Sequence, residues 1–116
     1  MDLEMAAMTL VGNAGESRSL TFEALRAAKI GDFDLAEHKL AEAKEAALRA
    51  HGIQTELICA EADGDEGIKI GLLMVHAQDH LMTAIVMSIF FCTFLLIFLC
   101  TILSYFLTFD NAVAVL

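Results

Sequence analysis

The chain lacks proline and tryptophan and has a single tyrosine among its 116 residues. Because proline breaks helices more strongly than any other residue, its absence beside runs of Ala, Leu, Glu and Lys favours an all-α fold. Basic residues are also few: seven Lys and Arg stand against sixteen Asp and Glu, a net charge of −9. A nucleic-acid-binding surface needs an excess of Lys and Arg, so no nucleic-acid partner is expected.

Cysteine is scarce, and its pattern points to the cytoplasm. Cys59, Cys92 and Cys100 have no zinc-binding spacing, and their odd number argues against a disulfide framework. Asp2 and Glu4 occupy the positions where a signal peptide would carry basic residues. A chain of this length is marginal for a self-sufficient core, so association with further copies of itself is expected.

Turn signals divide the chain into three helical segments. The first is predicted from about Leu3 to Lys29, and it contains Gly12-Asn13-Ala14-Gly15. Two glycines in a helix cost about 1 kcal/mol each relative to alanine, so either the helix breaks there or another backbone packs too closely for a side chain. Gly31-Asp32 combines a helix-ending glycine with a good N-cap, which predicts a second helix from there to about Glu61.

The second helix is predicted to have a small-residue stripe and a charged face. The stripe follows alternating steps of three and four: Phe33, Ala36, Leu40, Ala43, Ala47, Ala50, Gln54 and Leu57. The opposite face, with an i,i+4 pair between Glu45 and Arg49, is predicted to be solvated. Residues 62–67 are predicted to form a turn that is too short for a calcium loop. A third helix is predicted from near Ile68, with no breaker before Asp110.

A polar stripe on the third helix is the candidate site. His76, Asp79, His80 and Thr83 project from nearly one side of an otherwise apolar helix. Three interpretations compete: hydrogen-bonded structural histidines, a metal site with His76 and His80 as ligands, or a histidine that accepts a phosphoryl group. Zinc peptidases carry a Glu after the first histidine, where this chain has Ala77, but spacing alone does not decide among the alternatives.

The residues around this stripe resemble a known family. The segment Val75-His76-Ala77-Gln78-Asp79-His80-Leu81-Met82-Thr83-Ala84 is similar to the signature of the lactose/cellobiose-type enzyme IIA components of the bacterial sugar phosphotransferase system. Supporting similarity lies in residues 13–19, 24–33 and 50–58, so the resemblance covers about residues 3–86. The block at residues 13–19, Asn-Ala-Gly-Glu-Ser-Arg-Ser, is closer to the cellobiose/chitobiose branch than to the lactose branch.

The resemblance implies a fold, an activity and an assembly. It implies an antiparallel three-helix bundle that forms a homotrimer, in which His76 accepts a phosphoryl group from the phosphocarrier protein HPr. His76 would then pass the group to a cognate IIB component during uptake of a β-linked disaccharide. Asp79 corresponds to an aspartate that meets its symmetry mates around a divalent metal, commonly magnesium, with one ion per trimer. Gln78 and His80 are carried over as neighbours within the site.

The end of the chain departs from the family. We divide the chain into a IIA-like domain (residues 1–86) and an atypical hydrophobic tail (residues 87–116). No charged residue lies between Asp79 and Asp110, and residues 85–109 are long enough, as a helix, to cross the roughly 30 Å core of a bilayer. The tail is interpreted as a transmembrane anchor, as the product of a reading-frame shift, or as a third helix buried in an unusual assembly. The first interpretation implies membrane contact through residues 85–109.

The tail also leaves two alternative functions open. The chain would be a membrane-tethered helical interaction protein if its acidic helices served only to bind a partner. It would be an inactive product of a disrupted enzyme IIA gene if the tail arose from a frame shift.

Overall fold

Three long helices make up the protein. The computed structural model describes residues 2–64 and 70–114. Within them lie α1 (Leu3–Lys29), α2 (Phe33–Ala62) and α3 (Leu72–Ala114), and these described residues contain no strand. The all-α, three-helix architecture expected from the sequence is confirmed. α1 packs along most of α2, and α3 contacts α1 more extensively than α2.

The helix boundaries follow the predicted signals closely. The Asp2 side chain caps α1 by accepting hydrogen bonds from the backbone N–H groups of Glu4 (3.1 Å) and Met5 (3.2 Å). After α1, Gly31 has a positive φ of 82°, which a residue with a side chain rarely adopts. Asp32 then caps α2 by accepting from the N–H of Leu35 at 3.1 Å. Residues 63 and 64 form a turn, as predicted for residues 62–67, and the rest of that segment lies outside the described residues. The third helix begins later than the predicted start near Ile68, because Ile70 and Gly71 are not helical and α3 begins at Leu72.

The glycines in α1 are not explained as the sequence suggested. α1 continues through Gly12 and Gly15 without a break. A Cβ built on either glycine would meet no described atom within 4 Å, so close approach of another helix is also wrong within one chain. The helix persists because flanking residues on its inner face, such as Leu10 and Ala14, are fully buried. Burial of an amphipathic face contributes more to such a helix than local propensity.

The core consists mainly of alanine. The buried residues recur at steps of three and four: Ala7, Leu10, Ala14, Ser17, Thr21, Ala24 and Ala27 on α1, and Ala36, Ala43, Ala46, Ala50 and Leu57 on α2. α3 adds Ala77, Leu81, Ala84 and Phe91. The predicted α2 stripe is therefore correct at four positions, whereas Phe33 at its start is 40% exposed. Small side chains at these positions allow the helix backbones to approach closely.

The charged face of α2 is only partly a solvated surface. Arg49 reaches across to α1, where it donates to Glu16 Oε2 at 2.7 Å and to Asn13 Oδ1 at 2.9 Å. Lys39 likewise pairs with Glu23 on α1 at 3.0 Å. No Glu45–Arg49 ion pair occurs among the described residues, so that prediction was wrong. The antiparallel register of α1 and α2 places Glu16 opposite Arg49. Glu16 therefore pairs with Arg49 in place of Glu45, the i,i+4 neighbour.

α3 continues without interruption into the hydrophobic tail. Its 43 residues correspond to about 64 Å of helix. Beside the bundle, Leu95 and Leu99 of α3 lie near Phe33 at the start of α2, so the rest of α3 extends beyond the other helices. The stretch Leu72–Phe106 is long and apolar enough to cross a membrane, and 6% of its most apolar window is buried. The continuous third helix predicted from the lack of breakers is confirmed.

Candidate functional site

One face of the middle of α3 is buried in the core. Ala77, Leu81 and Ala84 are fully buried against the core residues Leu10 and Ala50. This packing fixes the rotation of the helix about its axis. It therefore decides where the predicted site residues point.

His76 and His80 lie together on one flank of α3. Their rings meet edge to face, with centroids 4.6 Å apart and planes at 70°. His76 is exposed and His80 is partly buried. The Nδ1 atom of His80 is buried and has no hydrogen-bond partner among the described residues. The pair thus combines an accessible imidazole with a supporting imidazole that has a free polar atom.

Gln78 faces the other side of the helix. Its Oε1 accepts a hydrogen bond from Gln54 Nε2 on α2, and Gln54 Oε1 in turn contacts His51 Nδ1 at 3.0 Å. Gln78 is therefore not brought to the His76 imidazole within one chain. His51 is exposed, and it belongs to a polar chain that joins α2 to the site helix. Its i,i+3 spacing from Gln54 was the only sequence signal.

Asp79 points away from the core. It is exposed and shares a small pocket of about 220 Å³ with Val75, Gln78 and, from α2, Leu57 and Glu61. Among the described residues, Asp79 forms no ion pair, and no group of three metal-ligating side chains is found in that part of the chain. A metal held by His76 and His80 would therefore lack a third described ligand. A carboxylate is nevertheless the donor that magnesium prefers, so Asp79 fits such an ion if other copies supply further carboxylates.

Comparison with known proteins decides the family. The model of the lactose/cellobiose-specific IIA subunit of the phosphotransferase system matches residues 5–98. The chain belongs to this family. It is a IIA component of a sugar phosphotransferase system of the type that handles β-linked disaccharides. The match extends past residue 86, where the sequence resemblance seemed to stop, and includes the first part of the hydrophobic tail.

Individual relatives agree with this assignment. The N,N′-diacetylchitobiose-specific EIIA component of Escherichia coli is 46% identical over 84 residues, which cover 72% of this chain and 71% of that protein. The crystal structure of the cellobiose-specific enzyme IIA from Bacillus anthracis is 41% identical, with a TM-score of 0.77, and the match covers 81% of this chain and 85% of that one. The E. coli IIA(chitobiose) chain in solution structures of its complex with HPr is 40% identical, with a TM-score of 0.69, covering 81% and 90%.

Proposed function

We propose that His76 of this IIA component accepts a phosphoryl group from HPr and passes it to a cognate IIB component during uptake of a β-linked disaccharide. The exposed imidazole of His76 on the flank of α3 carries the proposal, because both partners must reach it directly. A related IIA chain, 40% identical, has been solved in complex with HPr. That relationship supports HPr as the donor here.

The chemistry requires an imidazole that is nucleophilic when neutral and a good leaving group when phosphorylated. A neutral ring nitrogen of His76 would form a P–N bond with the phosphoryl group while the P–N bond to the HPr histidine breaks. In the transfer to IIB, a nucleophilic side chain of IIB then forms a bond to phosphorus while the P–N bond to His76 breaks.

His80 would position the His76 ring. Its edge-to-face contact restricts the rotation of His76. Gln78 would act at a distance from His76 of its own chain, because it faces α2. Its part in the site therefore depends on assembly with another copy.

The proposed homotrimer is supported by a row of exposed residues along α3. This row, called the α3 seam below, follows steps of three and four: Leu72, Val75, Asp79, Met82, Val86, Ile89, Thr93, Leu96, Cys100 and Leu103. Every one of these residues is exposed in the single chain. Apolar residues at this spacing over several heptads are the signature of a coiled coil, and polar residues at single positions help to specify the number of strands.

A magnesium ion at the seam would follow from trimer formation. Asp79 is the one carboxylate of the α3 seam, so three copies would bring three carboxylates to the axis. Like charges in such an arrangement repel one another unless protons or a cation neutralise them. We therefore include one magnesium ion per trimer, held by Asp79 of each copy, in the proposed function.

We propose that only the end of α3, beyond residue 99, can contact a membrane while the rest of the chain acts in the cytoplasm. Residues 85–99 lie beside α2 and cannot cross a bilayer without leaving the bundle. The helix beyond residue 99 comprises about 15 residues, or about 22 Å, which is shorter than the bilayer core. Flotation with anionic vesicles would test this, and substitution Tyr105→Glu is expected to reduce any bound fraction.

Replacement His76→Gln tests the phosphoryl-transfer proposal. With phosphoenolpyruvate, enzyme I and HPr, the wild-type chain should acquire labelled phosphate, whereas His76→Gln should acquire none. His38→Gln is the matched control, because His38 is a solvent-exposed histidine on α2. It should be labelled like the wild type. Labelling of His76→Gln, with an unchanged far-UV circular dichroism spectrum, would show that another residue is the acceptor.

A further inference from the structure

An apolar groove separates α2 from the tail portion of α3. It has a volume of about 870 Å³. Its α2 wall includes Leu40, Ala41 and Leu48, with Glu37 and Lys44 also in the lining, and its α3 wall includes Ile85 and Cys92. The lining is mainly apolar, and Ile89, Thr93 and Leu96 of the α3 seam form part of it. Apolar surface of this extent on a single chain is typical of a site that another molecule covers.

The opposite flank of α3 carries an exposed aromatic ridge. Phe90, Phe94 and Phe98 follow one another at steps of four and are 72%, 56% and 47% exposed. The rings of Phe94 and Phe98 stack, with centroids 6.2 Å apart and planes at 13°. Residues four apart form the ridges by which helices pack into the grooves of their neighbours. All three rings of this aromatic ridge remain exposed in the part of the chain that the structure describes.

The groove and the aromatic ridge are arranged to fit between copies. At 100° per residue, the ridge lies about 170° around α3 from groove residues such as Cys92, and the α3 seam lies between them. When the seams of several parallel copies meet at an axis, the ridge flank of each copy faces the groove flank of the next. A contact between two different surfaces of one chain closes into a ring when the rotation permits it.

We propose that the aromatic ridge of one copy occupies the groove between α2 and α3 of the next copy, so that the hydrophobic tail is an assembly element of this IIA component. The inference rests on the homotrimer in the proposed function and specifies the contact that closes it. The steps of three and four in the α3 seam continue unchanged past residue 86, as expected if the tail belongs to the same interface. Residues 87–98 also lie within the family match.

In a parallel assembly, the aromatic ridge of one copy and the groove of the next lie at the same height along the helix axis. α2 and α3 run in opposite directions: Gln54 is hydrogen-bonded to Gln78, and Phe33 and Leu99 line the same groove. Interpolation between these two pairs places Phe94 at the level of residue 38 of α2, between the groove residues Glu37 and Ala41. In a ring of parallel copies, Phe94 of one copy would therefore face the α2 wall of the groove in the next copy.

The first test is disruption of the contact by charge. The full-length wild type should sediment at three times the monomer mass of 12.6 kDa. Phe94→Glu should raise the concentration at half dissociation at least about tenfold, because a carboxylate would be forced into an apolar groove. Tyr105→Glu is the matched control: Tyr105 is 76% exposed and lies beyond the groove, so its mass should equal that of the wild type. An unchanged mass for Phe94→Glu would overturn the proposal.

The second test does not depend on how well Phe94→Glu folds. A chain carrying Ala41→Cys and Phe94→Cys, with the native cysteines replaced by serine, should give covalent dimers and trimers with a short bismaleimide cross-linker. Each single-cysteine chain should give far less of either species. A trimer by mass that yields no cross-links above those single-cysteine controls would refute the contact while leaving trimer formation intact. Recovery of a monomer that floats with vesicles would instead assign the groove and ridge to lipid.

The phosphorylation assay separates this inference from the proposed function. A wild-type chain that HPr labels and that sediments as a trimer, but whose Phe94→Glu and double-cysteine variants both behave like their controls, would refute only the inter-copy contact. A chain that cross-links as expected but is not labelled would refute only the phosphoryl-transfer proposal.

Discussion

Substitution Leu81→Ala tests whether the packing of α3 is what holds the site helix in place. Leu81 is fully buried, and Leu10 and Leu81 are the largest side chains in the structure buried to this extent. Most of the surrounding core is alanine, including Ala14, Ala50 and Ala77. These short side chains cannot extend into the space that Leu81 would leave.

The expected loss follows from this poor capacity to relax. Leu→Ala replacements in cores cost about 2–5 kcal/mol, and the cost increases with the volume of the remaining cavity. We expect a value in the upper half of that range for Leu81→Ala. Because the stability of a small domain is about 5–15 kcal/mol, such a loss would move the unfolding transition substantially.

Urea unfolding followed by circular dichroism measures this loss. Leu35→Ala is the matched control, because Leu35 is 42% exposed on α2 and lies outside the groove. It should cost less than about 1 kcal/mol. Protein concentration must be held constant, since assembly would contribute to the apparent stability. If Leu81→Ala lowers the free energy of unfolding no more than Leu35→Ala does, the packing of Leu81 in the core does not stabilise α3 as expected.

Three further predictions concern other parts of the molecule. Asp79→Asn should make the sedimentation of the trimer insensitive to a magnesium chelator; a wild type that is equally insensitive would contradict the axial ion. Hydrogen bonds from Lys39 to Glu23, and then to Glu42, raise the Lys39 pKa above its usual value of 10.5. The stability that Lys39 contributes should therefore be complete below pH 10.5 and disappear as pH rises through the raised pKa, so Lys39→Met should approach the wild type only in that alkaline range. Gly12→Ala should stabilise the chain by about 0.5–1 kcal/mol in thermal unfolding, because the new methyl group would meet open space and alanine favours helix; destabilisation would show that another copy packs there.

Local signals were sufficient for the helices. The caps at Asp2 and Asp32 and the left-handed Gly31 act within a few residues, so the sequence predicted α1 and α2 almost to the residue. The same reasoning failed for Arg49, because its partners Glu16 and Asn13 lie more than thirty residues away and become neighbours only when α1 packs on α2. Residue spacing along one helix carries no information about which helix lies beside it.

At the candidate site, too, the sequence predicted some features and tertiary packing decided the others. The motif around His76 was sufficient to indicate the family and the class of chemistry, because the identity of these side chains carries that information. The spacing already placed His76 and His80 on one side of the helix. Only the packing of Ala77, Leu81 and Ala84 against the core showed that Gln78 faces α2 and that Asp79 lies on the outer face. A helical wheel gives the angles between residues, but the rotation of the helix relative to the core is set by tertiary contacts.

The hydrophobic tail shows most clearly what the sequence alone cannot predict. Its composition alone determined that it would be helical and apolar, properties that a membrane span and a packed helix share. Tertiary structure placed residues 85–99 beside α2, with a groove on one flank and an aromatic ridge on the other. Hydropathy measures how much a segment avoids water, whereas the arrangement of its neighbours decides which surfaces remain for other molecules to cover.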